Sequence, residues 1–328
     1  MATFLMELLG REMDSVRVIS KRPFPPGLLF LILILLATIP LYVQPYLVIL
    51  LTTIFMYIII TVSWAIFSGP TRYISLASAA FFGVGVYTSA LLGKALPLPV
   101  VIVAGSLFSF ILALCIGLLT LRLRGMYFII FTFSISELIR NFLLWWETTM
   151  TGTVGRWVVM VDHTTVYYVI LVIFLLALLT AYLIRRSRFG LALRSIGEQE
   201  EAATHIGINA TVVKTITFAI SAFFMGATGA IMATKWKYID PRIAFDPLLS
   251  FLPVLMAIFG GTGQLYGPVF GAAIFAYLEE ILTTKFPYYY MLLFGIILII
   301  VILFLPHGLV GLVQKWRKGG LKRQNANP

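Results

Sequence analysis

Apolar residues come in runs of about twenty, separated by short polar or Pro/Gly-bearing breaks, from residue 27 to residue 305. A helical run of that length spans the hydrocarbon core of a bilayer, about 30 Å thick. The runs fall at 27–43, 46–68, 73–93, 98–121, 126–146, 165–184, 211–234, 248–265, 267–285 and 288–305. They predict an all-α polytopic membrane protein of about ten transmembrane helices. Pro40 and Pro45 leave little room between the first two runs, and Gly260 to Gly267 joins the eighth to the ninth equally tightly. Either pair is compatible with a re-entrant hairpin as well as with two full crossings.

The same pattern divides the chain into a segment 1–26, a membrane domain over 27–312 and a basic tail over 313–328. In the first segment Phe4, Leu8, Leu9, Met13 and Val16 repeat at near-helical spacing with charges between them, as in a helix lying in the membrane interface. A disordered tail fits these residues equally well. Glu7, Glu12 and Asp14, with no short apolar stretch and small-residue cleavage site after them, argue against a signal peptide.

Composition agrees with the pattern. The 328 residues are 60% hydrophobic and 11% charged, and the mean hydropathy is +1.00. Ordinary soluble domains carry about 25% charged residues. Too little charge is present to cover a soluble surface, which excludes most soluble enzymes and nucleic-acid binders despite a net charge of +11. Most of the 24 lysines and arginines sit on alternate segments: around Arg11 to Arg22, then Arg72, Arg122, Arg124, the Arg185–Arg194 stretch, Lys214 and the tail. The opposite segments hold only Lys94, Arg156, Lys235, Lys237, Arg242 and Lys285. By the positive-inside rule both termini are expected to be cytoplasmic, with the basic segments in contact with anionic lipid. Cys115 is the single cysteine and lies in an apolar run, so no intramolecular disulfide and no thiolate cluster can form.

No motif for covalent or metal chemistry occurs: no H-E-x-x-H, C-x-x-C, G-x-S-x-G or G-x-x-x-x-G-K-[ST]. His163, His205 and His307 lie in three separate loop regions, too few and too far apart for a zinc site. Gly260-Gly261-Thr262-Gly263 lacks the Lys and Ser/Thr of a phosphate loop and reads as a tight turn. The expectation is a chain with no cofactor, no metal and no ATPase of its own.

The polar stretch 185–210 is more informative. Arg185-Arg186-Ser187-Arg188 forms a basic stop after the sixth run, and Gly197 breaks the chain. Glu198-Gln199-Glu200-Glu201-Ala202-Ala203-Thr204-His205-Ile206 then reads as a short exposed helix, with acids in its first turn and Gly207 as its C′ cap. A helix that short is marginal in water and needs packing or a partner. Acids followed by small alanines suit a cleft on another protein.

Glu201-Ala202-Ala203 followed by Gly207 resembles the EAA loop with which permeases of ABC importers engage their ATPases. The surrounding residues are similar to one subfamily, the branched-chain amino-acid permeases of the LivM type. Ser187-Arg188-Phe189-Gly190 and Gly207-Ile208-Asn209 carry the likeness, as do Ile74-Ser75-Leu76 with Ala79-Ala80-Phe81-Phe82-Gly83. So do Leu121-Arg122-Leu123-Arg124-Gly125 with Tyr127-Phe128, Glu137-Leu138-Ile139-Arg140, Tyr266-Gly267-Pro268 and Leu305-Pro306 with Gly308-Leu309, in family order from about residue 70 to 312. Three departures stand out: Ala77-Ser78 where the family has Gly-His, Met126 where Asp is common, and Gly152-Thr153 for an outer Gly-Gly pair. They fall at or near segments that border a path, so they bear on substrate rather than on class.

The resemblance implies a permease subunit of an ATP-driven importer for branched-chain or related hydrophobic amino acids. It also implies a homologous LivH-type permease subunit, two ATPase subunits and a soluble periplasmic or lipid-anchored substrate-binding protein. On it, Glu198, Glu200, Glu201, Ala202, Ala203 and Gly207 form the contact with the ATPase. Relatives that move urea or short amides are an alternative, and an ion-coupled secondary transporter is another, with Glu137 as its carboxylate.

Within the membrane, Ser134, Glu137 and Asn141 share one helical face, and Glu137 is spaced to pair with Arg140. That face either lines a translocation path or locks helix packing. The small residues of 73–93, among them Ser75, Ser78, Gly83 and Gly85, suit close packing, a broken helix or a pore lining. Ser75, Ser78 and Tyr127 therefore join Ser134, Glu137 and Asn141 as candidate path residues. Glu279 and Glu280 read as interfacial, and Tyr288-Tyr289-Tyr290 as an aromatic anchor.

Overall fold

The computed structural model of the chain describes residues 35–289 apart from 122 and 124, together with 292, 293, 295 and 296. The segment 1–26, the basic tail, most of the last apolar run and the start of the first lie outside the described residues. Contacts divide the chain after Val48. In the first unit residues 35–42 are helical, and Pro45 then opens the next helix at a position where its missing N–H costs nothing.

The described helices are α1 (Pro45–Thr71), α2 (Ser78–Leu92), α3 (Leu98–Thr120), α4 (Met126–Trp146, prolonged by a π turn over Glu147–Thr151) and α5 (His163–Arg186). Two short helices follow, α6 (Arg188–Glu198) and α7 (Glu200–His205), then α8 (Ala210–Met232, prolonged by a 3-10 turn over Ala233–Lys235). The chain continues through α9 (Pro241–Ala244), α10 (Leu248–Gly260) and α11 (Tyr266–Lys285). Among the described residues six stretches are long and apolar enough to cross a membrane: 45–71, 98–120, 126–151, 163–186, 210–235 and 241–260. The chain is an all-α polytopic membrane protein.

The centre of the second unit is α8 packed on α2 and α3. Gly85 of α2, Gly105 of α3 and Gly226 of α8 meet backbone to backbone: a Cβ on Gly85 would overlap the Gly226 carbonyl, and one on Gly226 would overlap Ser109. Lipid is as apolar as leucine, so small residues that admit close approach are what hold such helices together. Ser109 Oγ donates to the Phe81 carbonyl at 2.8 Å and pins α3 to α2. An aromatic cluster joins the outer members, with Phe67 of α1 5.0 Å from Phe218 of α8, and Phe81 of α2 5.2 Å from the same ring.

Two expected runs are corrected. The run at 73–93 is not one helix: α2 begins only at Ser78, and its 15 residues rise about 22 Å, short of the bilayer core. Arg72 turns the chain at φ 60°, and residues 73–77 run on without helix. The run at 248–265 ends as helix at Gly260, because Gly261 takes φ 94°. There Gly260 and Gly267 come so close that a Cβ on either would overlap backbone of the turn.

Before the start of α5 a two-residue antiparallel ladder pairs β1 (Arg156–Trp157) with β2 (Tyr238–Ile239). Buried Glu147 holds the loop before it, accepting from the Gly155 N–H at 2.7 Å and from Arg156 Nε at 3.3 Å.

Candidate functional site

Ser187 opens the polar loop by capping α6, its Oγ accepting from the Gly190 N–H at 3.2 Å. The helix then runs through Gly197 and stops at Glu198; the break falls at Gln199, which is extended at φ −154°. This corrects the expected single helix from 198. Gly197 does not break the chain but lets it pass Pro70, whose carbonyl a Cβ would overlap. The helix α7 is only six residues long. Its end is a Schellman turn: Gly207 N–H to Thr204 O at 3.0 Å and Ile208 N–H to Ala203 O at 3.1 Å, with Gly207 at φ 89°. Asn209 Oδ1 then accepts from the Val212 N–H and caps α8.

The two faces of α7 differ. Ala203 is buried with Ile196 and Ala210, and Ile208 and Val213 pack against them. Glu198, Glu201, Ala202 and Gly207 are exposed. Glu200 turns inward, where its Oε1 lies 2.7 Å from Nζ of Lys214, a side chain 1% exposed. Tyr73 Oη donates to the other Glu200 oxygen at 2.5 Å. Lys214 Nζ also donates to the Leu121 carbonyl at 3.0 Å and stands 4.5 Å over the Tyr73 ring. One buried ammonium thus joins α7, the base of α8, the end of α3 and the segment that follows α1. A buried charge is tolerated only with partners of this quality.

Tyr73 begins the non-helical segment 73–77, which climbs into the membrane. Trp64 Nε1, about two turns inside α1, donates to the Ser75 carbonyl at 2.8 Å. Thr132 Oγ1 accepts from the Leu76 N–H at 3.0 Å, and the Ala77 N–H donates to Ser75 Oγ at 3.2 Å. Irregular backbone at that depth exists only where protein side chains satisfy it or a cavity adjoins it. Ser75 and Ser78 are both buried here and line one crevice with Ser68 and Ser221.

The other candidate path residues lie elsewhere. The buried residues of α4 are Phe128, Thr132 and Ser136, whereas Tyr127, Ser134 and Asn141 are exposed. Glu137 pairs with Arg140 at 2.5 Å, each side chain 24% exposed, and Asn141 Nδ2 donates to the Glu137 carbonyl of its own helix. The structure therefore groups Ser75 with Ser78 and keeps Tyr127, Ser134, Glu137 and Asn141 apart from them. Glu279 faces Tyr57, whose hydroxyl donates to it at 3.2 Å.

Sequence reasoning missed Tyr73, Lys214, Thr132 and Ser136. Lys214 left a usable signal: a lysine one turn inside an apolar run needs a partner. Thr132 and Ser136 left one as well, since their i, i+4 spacing marks a second polar stripe on α4. Among the described residues no group of His, Cys, Asp and Glu is arranged to hold a metal.

A family model described as branched-chain amino acid transport system / permease component matches residues 46–302. The chain is similar to the LivM permease protein of the high-affinity branched-chain amino acid transport system of Salmonella typhimurium, 25% identical over 319 residues that cover 84% of this chain and 73% of that protein. It is likewise 25% identical to LivM of Escherichia coli over 341 residues, covering 91% of this chain and 79% of the other. LivH of Escherichia coli is 30% identical over 165 residues, 48% of this chain and 53% of that protein. No solved structure matches. With the family match running from α1 past α11, over the polar loop at 185–210 and the non-helical segment 73–77 alike, the chain belongs to the branched-chain amino acid transport system permease components.

Proposed function

We propose that this chain is the membrane permease subunit of an ATP-driven importer of branched-chain or related hydrophobic amino acids. Its partners are a homologous LivH-type permease subunit, two ATPase subunits and a substrate-binding protein, in the inner membrane with both termini cytoplasmic. The observation that carries this reading is the junction at Lys214. The exposed acids of α7 offer a contact for an ATPase, while Glu200 on the same helix is tied to Lys214 and Tyr73. A displacement of α7 by closing ATPases is thereby delivered to two places at once, the base of α8 and the 73–77 segment. ATP supplies the bias between outward-open and inward-open states, because the ATPase contact differs between them. Glu198, Glu201, Ala202 and Gly207 form that contact, with Ala203 and Glu200 holding the helix to the permease.

The test is labelled leucine uptake in cells carrying the complete system, with urea and phenylalanine as competitors. Uptake is expected to stop on ATP depletion, to persist with an uncoupler and to be reduced by phenylalanine. Collapse with the uncoupler while ATP stays high would overturn the reading in favour of ion coupling. Competition by urea alone would move the substrate to short amides.

A further inference from the structure

We propose that the N-terminus of α2 is the intramembrane subsite for the carboxylate of the transported amino acid, with the hydroxyls of Ser68 and Ser78 as its side-chain donors. This rests on the import reading above and names the substrate chemistry that the permease itself meets.

The helix α2 starts inside the membrane, level with the interior of α1 and α4, and no side chain among the described residues caps it. The first-turn N–H groups of such a helix have no intrahelical partner, and the helix dipole makes that end positive. Together these features form an anion site in waiting. The second observation is independent of the helix. Ser68 and Ser78 line the crevice at this end, are 5% and 1% exposed, and have no hydrogen-bond partner among the described residues.

Hydroxyls on membrane helices commonly satisfy themselves on the carbonyl four residues back, as Thr71, Ser106 and Thr217 do here. The other two serines of the crevice are engaged: Ser75 Oγ accepts from the Ala77 N–H, and Ser221 Oγ donates to the Phe218 carbonyl. A buried hydroxyl left unpaired is costly, and a ligand oxygen at the first-turn N–H groups supplies the missing acceptor for both.

The rest of the lining selects the ligand. None of the described lining residues is Lys or Arg, so the dipole and the hydroxyls are the compensation offered to a negative charge. That suits an acid carrying its own ammonium rather than a bare anion. Trp64, Phe218 and Met225 also line the crevice and match an aliphatic or aromatic side chain. The crevice is too narrow for a water molecule in this conformation, so loading requires the 73–77 segment to shift. Tyr73, at the head of that segment, is bonded to the coupling helix through Glu200.

The experiment uses the complete transporter reconstituted in proteoliposomes with saturating, leucine-loaded binding protein. In the Ser68→Ala, Ser78→Ala double variant the expected result is a fall of about 10-fold or more in maximal leucine uptake. ATPase activity stimulated by the binding protein should stay within about twofold of wild type, since the coupling loop is untouched. Unchanged uptake would overturn the subsite, and so would uptake and ATPase falling in parallel, which marks a structural or coupling defect. A second variant, Ala77→Ser, places a capping hydroxyl where it competes for the first-turn N–H groups. It should melt no lower than wild type yet take up leucine more slowly; wild-type uptake by it would count against the subsite. A wild-type complex that transports no leucine would overturn the import reading itself, and this inference with it, whereas a defect seen only in the variants leaves that reading standing.

Discussion

The helices α8 and α4 are both long and apolar enough to span a bilayer, yet 83% of the apolar window of one is buried against 17% of the other. Hydrophobicity does not separate them. Size and polarity do. The interior helix carries Gly226, Ala227, Gly229 and Ala230 where it meets α2 and α3, whereas Met126, Tyr127, Leu138 and Trp145 of α4 face away from the chain. In lipid a large apolar side chain gains nothing by turning inward, so the helices that can approach most closely take the centre. Charge follows the same division: Lys214 on α8 is fully enclosed by partners, while Glu137 and Arg140 on α4 stay partly exposed.

The hardest test of this contrast is Gly226→Leu. A side chain there collides with Ser109 and the Gly105 carbonyl, and backbone cannot move aside as a flexible side chain would. The expected outcome is loss of folded protein after detergent extraction. The matched change on α4, Leu138→Ala at a side chain 66% exposed, should alter stability by no more than about 0.5 kcal/mol in thermal melting. Similar damage from both would abolish the distinction between the two helices.

Next in size is Glu200→Ala. It leaves Lys214 buried with only the Leu121 carbonyl and Tyr73 beside it, at a cost of about 3 kcal/mol. Glu200→Met combined with Lys214→Met removes both charges and should recover most of that stability. Uptake driven by ATP should nevertheless remain low, because the proposed route of motion from α7 to Tyr73 runs through the Glu200 hydrogen bond, which is gone. Recovery of transport with stability would reduce the junction to a structural ion pair.

Smaller still is the effect of Glu201→Arg on stability, within about 0.5 kcal/mol for an exposed residue. Transport should be uncoupled all the same, with normal insertion and ATP hydrolysis no longer answering to substrate. Normal uptake by a well-expressed variant would remove α7 from the ATPase contact.

Much of this was legible along the chain. Between Pro45 and Lys285 every apolar run contains a helix, and Gly207 ends the short helix as its spacing predicted. Periodicity could not reveal that 73–93 starts with five non-helical residues. Their backbone is satisfied by Trp64, Thr132 and Ser136, contributed by two other helices. Apolarity reads the same in helix and in irregular chain once protein surrounds both. Nor did the α4 pattern tell which of its two polar stripes faces inward. Ser134, Glu137 and Asn141 hold the stronger polar groups, but Thr132 and Ser136 are small enough to meet the 73–77 backbone and so take the interior face.

The smallest expected effect is therefore the most pointed about α4. Asn141 is exposed and donates to the carbonyl of Glu137 one turn back on its own helix. Asn141→Ala removes a bond whose acceptor already serves the helix ladder, so melting should shift little. If the path runs along the crevice at Ser68 and Ser78, maximal leucine uptake should also hold within about twofold. A fall in uptake at unchanged expression would bring the Ser134–Glu137–Asn141 face into the path. That face would then line it from the exposed side of α4, and the proposed second permease subunit would have to complete the route there.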